Sequence, residues 1–323
     1  MEDNMAPIED ENIIVDNTPS KISFHGDGST YFGIVALNVV LTLVTLGLYY
    51  PWAKAAYRQY IWNETEFKGS RFVFNGTGRE MFKGFIIAFG VLASIYIGAS
   101  FGNPLVMFFI YPAILLIMPF AVYGAWRYRV TRTSWRGIFF AFDGKLGEFL
   151  KMYAVQILLT VVTLGIYSPW MKVNIQKYLF SHTRIGHLRL DFHGDGGDLF
   201  GINFLGYFLM YITLGLYIPI WIKKRFEFTV NNMTIQDEDK IRRFKTNLTN
   251  GEAWTVLFTN GILLLLTLGL AYPWTFVRKT QMYFNSMEIP HEFDYDNLAQ
   301  SDGDFRDATA DEMVDIFDIG LDF

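Results

Sequence analysis

Two His-x-Asp pairs come nearest to a reactive pattern in this sequence. His25 and Asp27 lie in FHGDG starting at Phe24, and His193 and Asp195 lie in the same five residues starting at Phe192. Two imidazoles and two carboxylates brought together by symmetry would form a donor set for zinc or manganese. Related turns put Asn75 and Asp143 where the His stands, each within a Phe-x-Gly frame. His, Asn and Asp share a tolerance of turn geometry, not one ligand chemistry. The residues therefore point to tight hairpin turns, with the metal site as the sharper alternative. The chain has no Cys, which excludes disulfides, thiolate catalysis and Cys-ligated metals. No nucleophile–base–acid set and no phosphate-cradling loop stands out, so the sequence assigns no catalytic residue, no cofactor and no enzymatic activity.

A second set of polar groups sits inside apolar segments. Asn38, Gln156 and Asn260 each fall seven residues before the threonine of a Thr-Leu-Gly phrase, and Gly206 holds that place in the remaining copy. Seven residues is close to two helical turns, so amide and threonine share a helix face. An unpaired amide is costly in hydrocarbon, so these side chains are expected to hydrogen-bond between helices. If the protein transports a solute, they are the candidates for its path.

The elements that would position these groups are long apolar blocks: 31–50, 84–100, 104–123, 152–167, 199–222 and 253–274. A bilayer crossing needs about 20 helical residues. The expected fold is an all-α polytopic membrane protein. It has about six transmembrane helices in an internally repeated bundle, with short Gly-rich β-turn or hairpin elements and amphipathic interfacial helices. Residues 1–20 lack an apolar signal segment.

Four of the blocks end in a recurring phrase, and the blocks 84–100 and 104–123 do not. Residues 45–54 read TLGLYYPWAK, 163–172 read TLGIYSPWMK, 213–223 read TLGLYIPIWIK and 267–274 read TLGLAYPW. The Gly suits a helix end in left-handed conformation, and the Pro suits the first turn of the next helix. Trp and Tyr favour the headgroup level, and Lys can snorkel toward it. The expected interfacial anchors are Tyr49, Pro51, Trp52 and Lys54; Tyr167, Pro169, Trp170 and Lys172; Trp221 and Lys223; and Pro273 and Trp274. With six simple spans, four such joints cannot all face one side. Inverted copies or re-entrant segments would resolve that conflict.

The repeated order divides a membrane domain, 22–290, into units 22–69, 70–137, 138–186, 187–240 and 241–290. Acidic tails flank it at 1–21 and 291–323. Residues 1–20 carry six acids and no base, residues 291–323 carry eleven acids against Arg306, and the middle is left at about +11. A basic membrane core suits anionic lipid headgroups. Nucleic acid is not an expected partner, because the bases lie beside apolar helices and form no domain of their own. The carboxyl tail alternates Met313, Val314, Ile316, Phe317, Ile319 and Leu321 with acids, so it could fold on a basic partner or on this protein's own basic loops.

The F-x-G-x-G turn, the apolar helix and TLG-[LI]-Y-x-P-W-x-K together resemble the YjgN family of bacterial inner-membrane proteins. The resemblance covers roughly residues 22–290. It implies a multi-pass inner-membrane protein and supplies no activity. From the residues, a transporter or channel-like role is one expectation, and a non-enzymatic scaffold or lipid-organising protein is the other.

Overall fold

The computed structural model describes residues 20–100, 104–237, 240–290, 295 and 298. The chain builds strand, helix, helix, strand and then does so again. The first such unit is β1 (Ser20–Phe24), α1 (Gly28–Val44), α2 (Tyr50–Asn63) and β2 (Thr65–Phe67). The second is β3 (Ser70–Phe74), α3 (Gly78–Ser100), α4 (Pro104–Thr131) and β4 (Thr133–Trp135). The third is β5 (Ile138–Phe142), α5 (Leu146–Val162), α6 (Ser168–Ser181) and β6 (Thr183–Ile185). The fourth is β7 (Leu188–Phe192), α7 (Gly196–Ile212), α8 (Ile218–Asn231) and β8 (Met233–Asp237). The last contains β9 (Lys240–Arg243), β10 (Lys245–Thr246), α9 (Asn250–Leu266), α10 (Tyr272–Asn285) and β11 (Met287–Ile289).

All eleven strands join one antiparallel sheet in the order β10-β11-β1-β2-β3-β4-β5-β6-β7-β8-β9. Ser20 pairs with Ile289, and Phe244 alone separates β9 from β10, so the chain itself bridges the two ends of the sheet. The result is a ring. Strands that lead into a first helix alternate around it with strands that receive a second helix, so all five helical hairpins stand on the same end. The helices form a ring of their own, in which α1 packs on α2 and α10, α2 on α3, α6 on α7 and α8 on α9.

The inward faces of the strands fill the sheet ring with Ile22, Phe67, Phe72, Trp135, Ile185, Leu188, Ile235, Phe244 and Ile289. Alternation within three- to five-residue strands sends one face inward and leaves Lys21, Arg71 and Arg189 on the other. Tight turns connect the units. At Lys68-Gly69 and Arg136-Gly137 both central residues have positive φ, the geometry that matches strand twist.

A six-span helical bundle is not what the residues form. Four of the apolar blocks are 17-residue helices, each about 25 Å long. The aromatic-basic stretch after each one is not an interfacial appendage: it is a 14-residue helix that folds straight back. Among the described residues, one segment, Gly78–Gly98, is long and apolar enough to cross a membrane. The sheet is invisible to hydropathy because, among the described residues, no strand exceeds five residues.

The glycines of F-x-G-x-G earn their place by close approach. The Phe24 ring folds beneath Gly26, where a Cβ would collide with it, and Gly76, Gly144 and Gly194 meet Phe74, Phe142 and Phe192 in the same way. The last glycine of the motif receives an indole from the preceding hairpin: Trp52 on Gly78, Trp170 on Gly196 and, across the ring closure, Trp274 on Gly28. Where the Trp is absent, so is the Gly. Phe120 and Ile220 follow Pro119 and Pro219, and Leu146 and Asn250 stand at the corresponding helix starts. Neighbouring hairpins are therefore matched pair by pair.

Candidate functional site

Four of the five hairpins carry a Thr-Leu-Gly phrase at the tip, and each of these is a helix terminus closed in an unusual way. The Gly47 N–H donates to the Thr42 carbonyl at 2.7 Å and the Leu46 N–H to the Leu43 carbonyl at 3.1 Å. This is a Schellman ending, whose left-handed residue is ordinarily Gly. Here that residue is leucine: Leu46, Leu164, Leu214 and Leu268 have φ of 51°, 53°, 50° and 49°. The glycine that follows each, from Gly47 to Gly269, has φ of 88–91°.

The threonine completes the joint. Its hydroxyl donates to the carbonyl four residues back, at 2.7 Å from Thr45 to Leu41, and accepts the N–H four residues ahead, at 3.0 Å from Tyr49. Thr163, Thr213 and Thr267 make the same two bonds. From Thr45 to Trp52 every backbone N–H has an internal acceptor, and Pro51 has no N–H to satisfy. A chain reversal with no unmet donor is what hydrocarbon demands of non-helical backbone.

The leucines themselves point away from the protein, 89–93% exposed. Val44, Val162, Tyr211, Leu265 and Leu266 extend the same apolar surface down the first helices. Each leucine carries both the strain of a left-handed backbone, roughly 1–2 kcal/mol, and full exposure of its side chain. Both are unfavourable in water, and hydrocarbon around the tip would offset the second.

The expected anchors lie just behind these tips, and Trp52, Trp170 and Trp274 face neighbouring hairpins. Tyr49 stacks on Trp52, and Tyr167 on Trp170, each at 5.8 Å between ring centroids, while Trp52 also meets Phe82 and Trp274 meets Phe32. Pro51, Pro169 and Pro273 are buried at the starts of the second helices. Trp221 fills the space left by Gly206 and meets the Tyr207 ring at 5.0 Å, tilted by 52°. The snorkelling expected of the lysines is not observed for Lys54, which is buried. Lys172 is half-buried, and Lys223 is paired with Glu227 at 2.6 Å.

The amides bond within their own hairpins. Gln156 accepts from Asn174 at 2.8 Å, and the buried Asn260 donates to the Thr275 carbonyl at 2.9 Å. Asn38 is half-buried on α1. The two His-x-Asp pairs are not assembled into one site. His25 lies 3.4 Å from Glu66 and His193 lies 3.8 Å from Asp191. The carboxylates cap helices: Asp27 accepts the Thr30 N–H and Asp195 the Gly197 N–H. The Thr30 amide, as the leading cause, lowers the pKa of Asp27. Among the described residues there is no group of three or more His, Asp or Glu able to hold a metal ion.

One set of structural residues was missed in the sequence. Tyr60, Tyr128 and Tyr178 each lie nine residues after a proline (Pro51, Pro119 and Pro169). Each donates its hydroxyl to the carbonyl just before a first helix: Asp27 at 2.8 Å, Thr77 at 3.3 Å and Lys145 at 2.8 Å. The constant spacing was the available signal, and it also marks Pro119 as the counterpart of the other hairpin prolines.

The hairpin unit recurs along the described chain, and the family match runs along it as well. The family described as "Bacterial protein of unknown function (DUF898)" matches residues 19–151, 139–201 and 201–316. The chain belongs to this family. Among relatives of the DUF898 chain, inner membrane protein YjgN of Salmonella typhimurium strain LT2 is 22% identical over 343 residues, covering 80% of the chain and 85% of the relative. Proteins of the same name from Escherichia coli O157:H7 and K12 are each 32% identical, over 120 and 126 residues. Those two matches cover 37% and 39% of the chain and 30% and 32% of the relatives. The resemblance read from the TLG phrase thus holds, and the relatives' names support a membrane protein with a place in the inner membrane. No solved structure matches the chain.

Proposed function

We propose that this DUF898 chain is a non-enzymatic, lipid-organising protein of the bacterial inner membrane, whose hairpin ring sinks its leucine tips into the bilayer. The observation that carries the reading is the set of four left-handed, outward-facing leucines on backbone with no unmet donor. Exposed bases lie where headgroups would meet the wall: Arg79 and Lys83 in the first turns of α3, and Lys145 and Lys151 at the start of α5. They favour anionic lipids. A solute path through the amides is the weaker reading, because Gln156 and Asn260 bond inside their own hairpins and aromatic side chains fill the sheet ring below.

The chain contains no Cys, so single cysteines at 46, 164, 214 and 268 can be tested one at a time in native membranes. A membrane-impermeant maleimide should leave all four unlabelled until detergent is added, while Arg189→Cys, exposed on the sheet ring, labels at once after the vesicles are opened. Tips that label as fast as position 189 in opened, detergent-free membranes would refute the insertion. Solute flux that is lost in Asn260→Ala, with the tips still protected, would favour the transport reading instead.

A further inference from the structure

Both ends of the membrane domain leave the sheet ring at one place. Ser20 and Ile289 are paired neighbours on the rim farthest from the helices, the rim that also holds the Lys68-Gly69 and Arg136-Gly137 turns. That rim frames one mouth of the sheet ring. Tyr295 is buried there, edge-on to Phe67 at 5.2 Å and to Trp135 at 6.5 Å, with its hydroxyl donating to the Pro290 carbonyl at 2.6 Å. Leu298 packs on the same core.

The rim is basic. Lys21, Lys68, Arg71, Arg136, Lys240 and Arg242 are all exposed on it or beside it. Two of them occupy costly positions: Lys68 and Arg136 stand at φ of 46° and 52°, where a tight hairpin turn ordinarily takes Asn, Asp or Gly. A long cation retained at a left-handed position is the kind of local strain that accompanies function. Lys68 Nζ lies 4.9 Å over the Tyr295 ring, so the turn is already in contact with the start of the carboxyl tail.

Residues 299–323 follow directly from Leu298. They carry eight acids and one Arg, interleaved with Met313, Val314, Ile316, Phe317, Ile319 and Leu321. Tethered at the mouth, this segment meets the rim at an effective concentration in about the millimolar range. We propose that residues 299–323 dock across the mouth of the sheet ring, setting their acids on Lys68, Arg71 and Arg136 as an intramolecular strap. Charge complementarity and continuity with the Tyr295 contact select this occupant, and the inference does not depend on the hairpin tips entering a bilayer.

A photo-crosslinking residue at Phe317 in the full-length protein tests it. The crosslink is expected within one chain, on residues 67–72 or 135–138. Its yield should fall about fivefold between low salt and about 0.5 M salt, as screening predicts, and fall similarly in Lys68→Gln/Arg71→Gln. Absence of a crosslink, a crosslink to helices or to a second copy, or a yield indifferent to salt would each overturn the strap. The salt series uses otherwise unaltered protein, so the test stands even if the double variant fails to fold.

Discussion

Replacing Gly196 by Leu should damage the junction between the third and fourth hairpins, and replacing Trp170 by Phe should repair it. A Cβ at Gly196 would lie inside the Trp170 indole, against both ring and backbone atoms, so the single change forces the ring or the helix start to move. Overpacking of this kind costs about 1–3 kcal/mol. Trp170→Phe alone leaves part of the indole site empty at a cost of about 1–2 kcal/mol, well below the roughly 3–5 kcal/mol of a full truncation to Ala. If the two sites were independent, the double variant would lose the sum, about 2–5 kcal/mol. Phe and Leu are the residues this chain already carries at 120 and 146, so the double variant is expected to lose about 1 kcal/mol or less. The coupling is then about 2–3 kcal/mol, within the range seen for residues in contact. Unfolding titrations of the four proteins in mixed detergent micelles give this cycle directly. Additive losses, or a double variant worse than both singles, would refute the pairwise matching of hairpins.

Two further outcomes concern the tip threonines and Tyr295. Thr213→Val strands the Tyr217 N–H and should cost about 1–3 kcal/mol, whereas Thr213→Ser, which keeps the hydroxyl, should cost under about half of that; equal losses would show that the hydroxyl is not what closes the tip. Burial raises the pKa of Tyr295, so its folded form holds a proton that the unfolded chain releases above about pH 10. Its contribution to stability is therefore complete below pH 10 and falls as pH rises beyond it. Tyr295→Phe should keep the packing and abolish that alkaline loss, and an unchanged pH profile in the Phe variant would disprove the assignment.

Much of this architecture was written in the sequence at the level of single joints. The Thr-Leu-Gly-Pro order announced a helix ending and a second helix beginning, and the structure has both. What local pattern could not supply was direction. The 14-residue helices carry Lys54, Arg58, Lys172 and Arg278, charges that argue against a lipid-facing span, so they read as interfacial. In the structure they pack between apolar neighbours, and tertiary contact decides their place. The sheet was equally hidden, since three residues such as Thr-Glu-Phe carry no periodicity; only pairing with Ile22 and Ser70 makes them a strand. Spacing singled out the His-x-Asp and amide positions, but the contacts found there, helix capping by Asp27 and Asp195 and bonding within hairpins by Gln156 and Asn260, are ones that spacing alone cannot separate from ligation.

The pairing of Ser20 with Ile289 also fixes an order of events. The first strand has a neighbour on one side as soon as β2 is made, but its other edge stays open until the last strand of the domain has left the ribosome. The ring cannot be sealed earlier, since its closing contact joins the most distant parts of the domain and carries the largest loop-closure entropy. The number of hairpins is fixed by the same contact: a chain one unit short would have to bend its strands to a tighter circle or leave two edges unpaired. Hairpins can therefore diverge in sequence and length, as α3 and α4 have done, more readily than they can be gained or lost.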